Sequence, residues 1–288
     1  MSRGPIVDLE PAIHEWVAGR LGPTGPWIRL DARRGSTAVF GVTATDGGEW
    51  IVKQFRSARA FEQERRALTT WFARPELGGA RVPRLLADAP ELATLILERL
   101  PGVASSEDSP LVHHAAGRFL AALHRLAIVD DDPLPLADAL ARRTRTWLRR
   151  AELEPELVRT VEQHGPRPEL FTDARRVPCH RDFAPRNWLW DGEALAIVDF
   201  EHARLDLALV DLAKLCVESW QRRPDCAVEF FRGYGRRLTG IEHQRLRAVV
   251  VLHAVASLAW GRERGDSDHV LEGRNALALA VDWPAELG

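Results

Sequence analysis

The chain has 288 residues, of which 45% are hydrophobic and 28% charged, and a formal net charge of -2. That length supports one large domain or two lobes around a sizeable core, and a near-neutral charge excludes a bulk pull toward nucleic acid or an anionic membrane. Three cysteines, Cys179, Cys216 and Cys226, at no metal-ligand spacing, and no basic-then-apolar start at Met1 to Glu10, set the expected location as cytoplasmic.

Pro11 to Leu21 carries Ile13, Trp16, Val17 and Leu21 at helical spacing. Gly22 to Pro26 breaks that helix, and three strands are expected next: Trp27–Leu30, Thr37–Thr45 and Glu49–Phe55. Asp46-Gly47-Gly48 marks a hairpin between the last two. Arg59–Phe72 reads as a helix, and Arg81–Ala87 and Leu92–Glu98 as two further strands. The first hundred residues are therefore expected to form five strands with one main inserted helix.

Leu100-Pro101-Gly102 interrupts that pattern, and the rest reads as mostly helical. Leu111–Val129 has an apolar face running from Val112 to Ala127, with Asp130 to Pro133 as its stop. Ala137–Gln163 reads as an arginine-rich helix broken near Glu154-Pro155, its Arg142 to Arg150 face solvated. Further helices are expected at Leu207–Arg222, Cys226–Arg237, Glu242–Arg264 and Asp268–Val281. Ala248 to Trp260 is too short for a bilayer and reads as a buried helix. The division expected is 1–100 and 101–288.

Lysine and arginine together number 39, yet only Lys53 and Lys214 are lysine, and Asn187 and Asn275 are the only asparagines. In a chain so biased, a retained lysine or asparagine points to chemistry that arginine or another residue does not supply. Lys53 shares a strand face with Ile51 and Phe55. A lysine there is an edge cation or a phosphate ligand. The second role needs a carboxylate to hold it, and Glu64 in the following helix is preferred over Glu62. Arg34-Gly35-Ser36-Thr37 could close over a triphosphate through backbone N–H groups, or be an ordinary turn.

The densest chemistry lies in Cys179-His180-Arg181-Asp182-Phe183-Ala184-Pro185-Arg186-Asn187, followed by the apolar run Leu195 to Val198 ending in Asp199. Phosphoryl transfer needs one carboxylate to orient a hydroxyl, with an amide and a second carboxylate to hold magnesium. Asp182, Asn187 and Asp199 supply that set in that order. Cys179 and His180 point to opposite faces of an extended segment, which argues against a Cys–His nucleophile. His180 reads as a brace for the loop and Cys179 as core. Asp211 reads as a helix N-cap or as a carboxylate holding the loop backbone.

On these residues the chain resembles the aminoglycoside phosphotransferase and choline kinase family, relatives of the protein kinases, over nearly its whole length. His180-x-Asp182-x-x-x-x-Asn187 resembles the family's catalytic loop, and Val198-Asp199-Phe200-Glu201 its metal-binding segment. Asp206 to Ala213 resembles its Asp-Leu-Ala helix start, and Leu97 to Gly102 its hinge. The resemblance implies an α+β, bilobal protein-kinase-like fold with a five-stranded antiparallel N-lobe and a mostly helical C-lobe. It implies Asp182 as catalytic base, Asn187 and Asp199 on Mg2+, and Lys53 with Glu64 on the α- and β-phosphates of ATP, GTP not being excluded. Gly35, Ser36, Thr37, Glu98 and Leu100 would complete the nucleotide site, with His180 and Asp211 in support.

The pattern departs from the family at Arg181, where glycine is more frequent, and in the glycine-poor nucleotide loop. The expected partner is a small-molecule hydroxyl acceptor, either an aminoglycoside-like or other antibiotic natural product or a metabolic choline, homoserine or sugar type. Neither nucleic acid nor membrane is expected, and oligomeric state is left open. A catalytically silent nucleotide-binding scaffold would have lost one of Lys53, Asp182, Asn187 or Asp199, and all four are present. Arg262, Glu263, Arg264, Asp266 and Asp268, with the Arg142 to Arg150 helix, give the expected acceptor pocket mixed charge.

Overall fold

The computed structural model describes residues 10–31, 37–72, 76–105, 109–285 and 287. The chain runs α1 (Pro11–Leu21), β1 (Ile28–Arg29), β2 (Thr37–Thr43), β3 (Glu49–Phe55), α2 (Ala58–Thr70), β4 (Glu76–Leu77), β5 (Ala80–Arg81), β6 (Leu85–Ala89) and β7 (Thr94–Glu98). It continues through β8 (Val103–Ala104), α3 (Pro110–Leu123), α4 (Leu136–Ala151), α5 (Pro155–His164), β9 (Arg176–Cys179), β10 (Trp188–Trp190) and β11 (Leu195–Ile197). The remainder is β12 (Arg204–Leu207), α6 (Ala213–Glu218), α7 (Pro224–Tyr234), α8 (Gly240–Arg264) and α9 (Ser267–Val281).

Five of the early strands form one antiparallel sheet in the order β1-β2-β3-β7-β6. Gly47, at φ +88°, makes the tight turn that sets Thr43 opposite Glu49. Alternation in β3 divides its side chains as the sequence suggests. Val52 joins Phe40, Val42, Ile96 and the α1 residues Ile13 and Val17 in a small core. Ile51 and Phe55 face the main core, and Lys53 emerges between them on the face toward α2.

A second sheet, in the order β4-β5-β11-β10-β8, ties the two parts of the chain together, with β5 running parallel to β11. Gly102 stands at φ +105°, and a Cβ there would meet the backbone of Trp190 at 2.8 Å, so the chain leaves β7 past β10 only because this residue is glycine. Beyond it the helices pack on one continuous core. In α3 and α7, Gly117 and Gly233 let the two backbones touch; a side chain on either would strike the carbonyl of Phe230 or His114. No helix among the described residues is long and apolar enough to cross a membrane.

Several boundaries differ from the sequence reading. The helix expected at Leu207–Arg222 is reduced to Ala213–Glu218, because Leu207 ends β12 and Ala208–Asp211 form a 3-10 turn. The expected strand 81–87 is split, because Pro83 has no N–H to continue a ladder; Ala80–Arg81 joins β11 and Leu85–Ala89 joins β7. A 3-10 turn at Pro90–Leu92 and Ala93 at φ +44° delay the next strand to Thr94. The helix expected to reach Val129 ends at Leu123, yet Leu126 and Ile128 still pack on the core, which prolongs the apolar period beyond the helix.

Candidate active site

The loop after β9 and the segment after β11 are fixed to each other before either can hold a ligand. The His180 ring meets the Val198 carbonyl through Nε2 at 3.0 Å, while its Nδ1 accepts from the Asp182 amide at 3.3 Å. The Val198 amide donates to the Asn187 carbonyl at 3.1 Å. Phe183 and Phe200 are fully buried around the same ring.

Asp211 holds the loop from below. Its carboxylate accepts the His180 amide at 3.1 Å and the Arg181 amide at 2.5 Å. It makes no side-chain cap on α6, so the loop-holding arrangement is the one observed. His124 contacts the same carboxylate at 3.1 Å and the Tyr234 hydroxyl at 2.8 Å. Cys179 lies within 4.8 Å of this group, but its single S–H faces the carbonyls of Val177, Asp206 and Leu207, at 3.3 to 3.5 Å, and donates among them. Each of these donor atoms is already engaged, so the trio is a brace with no ligand atom to spare for a metal.

Backbone geometry at two positions is unusual. Arg181 takes φ +65° and Asp199 φ +72°. The first explains why glycine suits that position; a side chain held there costs on the order of 1 kcal/mol and persists only where the surroundings demand it. Asp199 tolerates the conformation better, as a short polar residue.

The four residues singled out for phosphoryl transfer converge. Lys53 Nζ lies 2.5 Å from Glu64 Oε2 and 2.6 Å from Asp199 Oδ1. Lys53 is 4% exposed and Glu64 0%. Glu62, the alternative partner, pairs instead with Arg65 at the surface. Burial opposes the charge on Lys53, yet Asp199 and Glu64 together hold its pKa above the ordinary lysine value. Burial pushes Glu64 up to about 7, against the pull of Lys53, and Asp199 and Glu201 push the same way. Glu64 Oε1 has no hydrogen-bond partner.

Asn187 donates its amide to the Asp182 carbonyl at 2.8 Å and to Asp182 Oδ2 at 3.0 Å, so its oxygen is the atom left to meet a cation. An amide oxygen and the Asp199 carboxylate are hard donors of the kind magnesium takes. Lys53 stands between Glu64 and Asp199, and Glu201 bears on Glu64, a surplus of negative charge that a divalent cation would balance.

Asp182 has neighbours that the sequence reading missed. Lys214 Nζ hydrogen-bonds Asp182 Oδ1, and Arg186 reaches the same oxygen at 2.5 Å. Burial disfavours the Asp182 charge, but these two cations hold its pKa well below the carboxylate range. Behind them, Glu218 lies 3.6 Å from Arg186, and Glu272 pairs with His253 at 2.7 Å. Burial raises Glu218 and is outweighed at Glu272, where the His253 bond helps pull the carboxyl to about 2.

The other predicted residues fall as follows. Thr37 begins β2 and its hydroxyl donates to Glu201 Oε2 at 2.5 Å. Gly35 and Ser36 lie outside the described residues. Glu98 ends β7, with its side chain paired to Arg84 at 2.9 Å and its amide donating to the Arg84 carbonyl. Leu100 is buried just beyond it.

The expected acceptor elements near the C-terminus are engaged elsewhere. Arg262 binds the carbonyls of Ala151 and Glu152 at the end of α4, Glu263 pairs with Arg150, Arg264 covers Trp260, and Asp266 caps α9. The Arg142 to Arg150 face is not wholly solvated either, because Arg143 reaches the buried Asp206 at 2.9 Å.

The five-stranded sheet, the helical remainder and this convergence define a protein-kinase-like phosphotransferase. The profile described as "Phosphotransferase enzyme family" matches residues 27–249, and the chain belongs to that family. No curated protein sequence matches it. Among solved structures it is similar to aminoglycoside phosphotransferase APH(4)-Ia in a ternary complex with ADP and hygromycin B, at 15% identity and TM-score 0.72, covering 95% of this chain and 99% of that one. It is similar also to macrolide 2'-phosphotransferase MphH from Brachybacterium faecium, at 19% identity and TM-score 0.63, covering 96% and 98%. A third is choline kinase LicA from Streptococcus pneumoniae, at 16% and 0.68, covering 93% and 98%. At such identities the likeness speaks for the fold, and the acceptor has to be argued from this chain's own residues.

Proposed function

We propose that the protein transfers the γ-phosphate of ATP, with Mg2+, to a hydroxyl of a small molecule. The observation that carries this reading is the convergence of Lys53, Glu64, Asp199, Asn187 and Asp182 from four separate stretches of sequence. Residues 1–100 would carry the nucleotide and residues 101–288 the acceptor.

In this account Lys53, fixed by Glu64, neutralises the α- and β-phosphates. Asp199 and Asn187 would hold the metal, which when bound screens the phosphate charge against the attacking oxygen. Asp182 orients the acceptor hydroxyl through its carboxylate and takes up its proton as the new bond forms. Lys214 and Arg186 keep that carboxylate ionised, and their positive charge would favour the charge that builds on the transferred group. His180, Asp211 and His124 hold the loop so that no reorganisation is needed at the moment of reaction.

The acceptor falls in the class of antibiotic or other natural-product alcohols of low positive charge, with a metabolic alcohol as the second reading. Two cations at the catalytic carboxylate oppose a polycation, whereas Glu218 and Glu272 nearby leave room for one amine. Turnover of radiolabelled ATP over a panel of macrolides, aminoglycosides, choline and homoserine tests both parts. Transfer to none of them, with nucleotide binding intact, would move the case to a nucleotide-binding scaffold.

A further inference from the structure

Beside the catalytic loop, three arginines converge on one carboxylate. Asp206 is 1% exposed and lies in β12, where it shares a strand face with Arg204. Arg143 comes from α4 and makes two hydrogen bonds to Asp206, at 2.9 and 3.3 Å. Arg181, next to Asp182, brings its Nε to 2.9 Å of Asp206 Oδ2, and Arg204 brings one terminal nitrogen to 3.6 Å. Three positive charges therefore meet one negative charge.

The surplus is not absorbed elsewhere. Among the described residues, Asp206 is the one carboxylate that each of these guanidiniums reaches within 4.0 Å. Asp211 also bears on Arg181, but its oxygens are occupied by two loop amides and His124. Arg59 of α2 adds a fourth positive charge bearing on Arg204. In the adjoining cleft, Asp130 and Asp132 face Arg176, and Asp131 faces Arg66. Burial, and then Arg181 and Arg143, pull Arg204 down to about 9, the direction expected of a cation crowded by its own kind.

Donors are also left over. Arg181 Nε is buried and lies out of line for a hydrogen bond to Asp206. The closest approach of Arg181 to Asp206 is through Nε and that of Arg204 through one terminal nitrogen at 3.6 Å, which leaves N–H groups of each guanidinium for another partner. Both side chains are about a quarter exposed, at 22% and 28%, so that partner can arrive from solvent.

We propose that Arg143, Arg181 and Arg204 form an oxyanion-binding site beside the catalytic loop, built for a phosphate, sulfate or carboxylate group. The anion bridges the free forks of Arg181 and Arg204 over Asp206 and balances the local charge. It is either a free ion or a group carried by the acceptor. This inference stands apart from the kinase reading, because it concerns binding and not transfer.

The test is thermal melting of the full chain at fixed ionic strength, in chloride against millimolar inorganic phosphate or sulfate, with ADP and Mg2+ saturating so that the nucleotide site is filled. The wild type gains a saturable increment of about 3 °C at ten times the dissociation constant. In Arg204→Gln that increment shrinks and the apparent affinity falls at least fivefold, while the chloride melting point stays level or rises because one crowding charge is gone. Arg204→Lys, which keeps the charge and loses the fork, retains part of the affinity. Equal anion titrations in wild type and Arg204→Gln, or no saturable increment in the wild type, would overturn the proposal. A second arm locates the source through turnover of matched alcohols, glycerol against glycerol 3-phosphate and ethanolamine against serine. With the increment present, preference for the anionic member that is lost in Arg204→Gln places the group on the acceptor. No such preference leaves it a free ion.

Discussion

Replacing Lys53 by methionine probes the charge balance of the site without an acceptor. The side chain keeps its length and loses its charge. Glu64, wholly buried, then faces Asp199 with nothing between them, and one of its oxygens already lacks a partner. Removing one member of a buried ion pair costs about 3–5 kcal/mol. The lower end applies here, because Asp199 is one-third exposed and keeps some water. A loss of about 3 kcal/mol lowers the melting point by about 6–12 °C in a chain of this size.

The pH dependence carries the sharper signature. Glu64 already titrates near 7, above its ordinary 4.5, because burial outweighs the lysine. Without Lys53 its folded pKa rises further. A carboxyl that holds its proton more tightly when folded favours the folded state at low pH and loses that advantage as pH climbs from the unfolded value through the folded one. The deficit of Lys53→Met relative to wild type is therefore small at pH 5 and largest at pH 8. Adding Glu64→Leu removes the stranded carboxylate and restores most of the stability but none of the turnover. Denaturant melts at both pH values, read as a double-mutant cycle, decide the matter. A deficit independent of pH, or no rescue by the second change, would refute the reasoning.

Other expectations concern the groups around the loop. In Lys214→Met, Asp182 loses one of the two cations that depress its pKa. A carboxylate that must be ionised to accept a proton fails as pH falls through its folded pKa, so the acid limb of kcat/KM moves to higher pH; an unmoved limb would contradict the pairing. Asp211→Asn turns an acceptor of two loop amides into a group with a donor facing a donor. It costs about 2–3 kcal/mol in denaturant melts, with turnover falling more than nucleotide affinity. Arg181→Gly relieves the left-handed backbone but gives up the Asp206 contact, so its melting point stays within a few degrees of wild type while its oxyanion response disappears.

Much of this was legible in the chain because it depends on local pattern. The hairpin at Gly47, the face of β3 that presents Lys53, and the order Asp182, Asn187, Asp199 follow from spacing and from lysine and asparagine scarcity. Helical position favours Glu64 over Glu62, and the structure joins Glu64 to Lys53. What spacing could not show were contacts closed over long separations. Arg143 meets Asp206 across 63 residues, Lys214 meets Asp182 across 32, and β5 pairs with β11 across more than a hundred. Lys214 carried a readable signal: it is the other of the two lysines, and the scarcity that marked Lys53 marks it equally. The end of α3 is hidden in the pattern because Leu126 and Ile128 stay apolar for packing after the helix has stopped.

The central claim is that Asp182 orients and deprotonates an acceptor hydroxyl while Lys53, Asn187 and Asp199 serve the nucleotide. It is tested most directly by Asp182→Asn, measured for ATP affinity by calorimetry and for γ-phosphate transfer on any acceptor the wild type uses. The account predicts nucleotide affinity within a few-fold of wild type and transfer reduced by at least about a hundredfold, the usual worth of a positioned general base. Transfer at the wild-type rate in Asp182→Asn would contradict it.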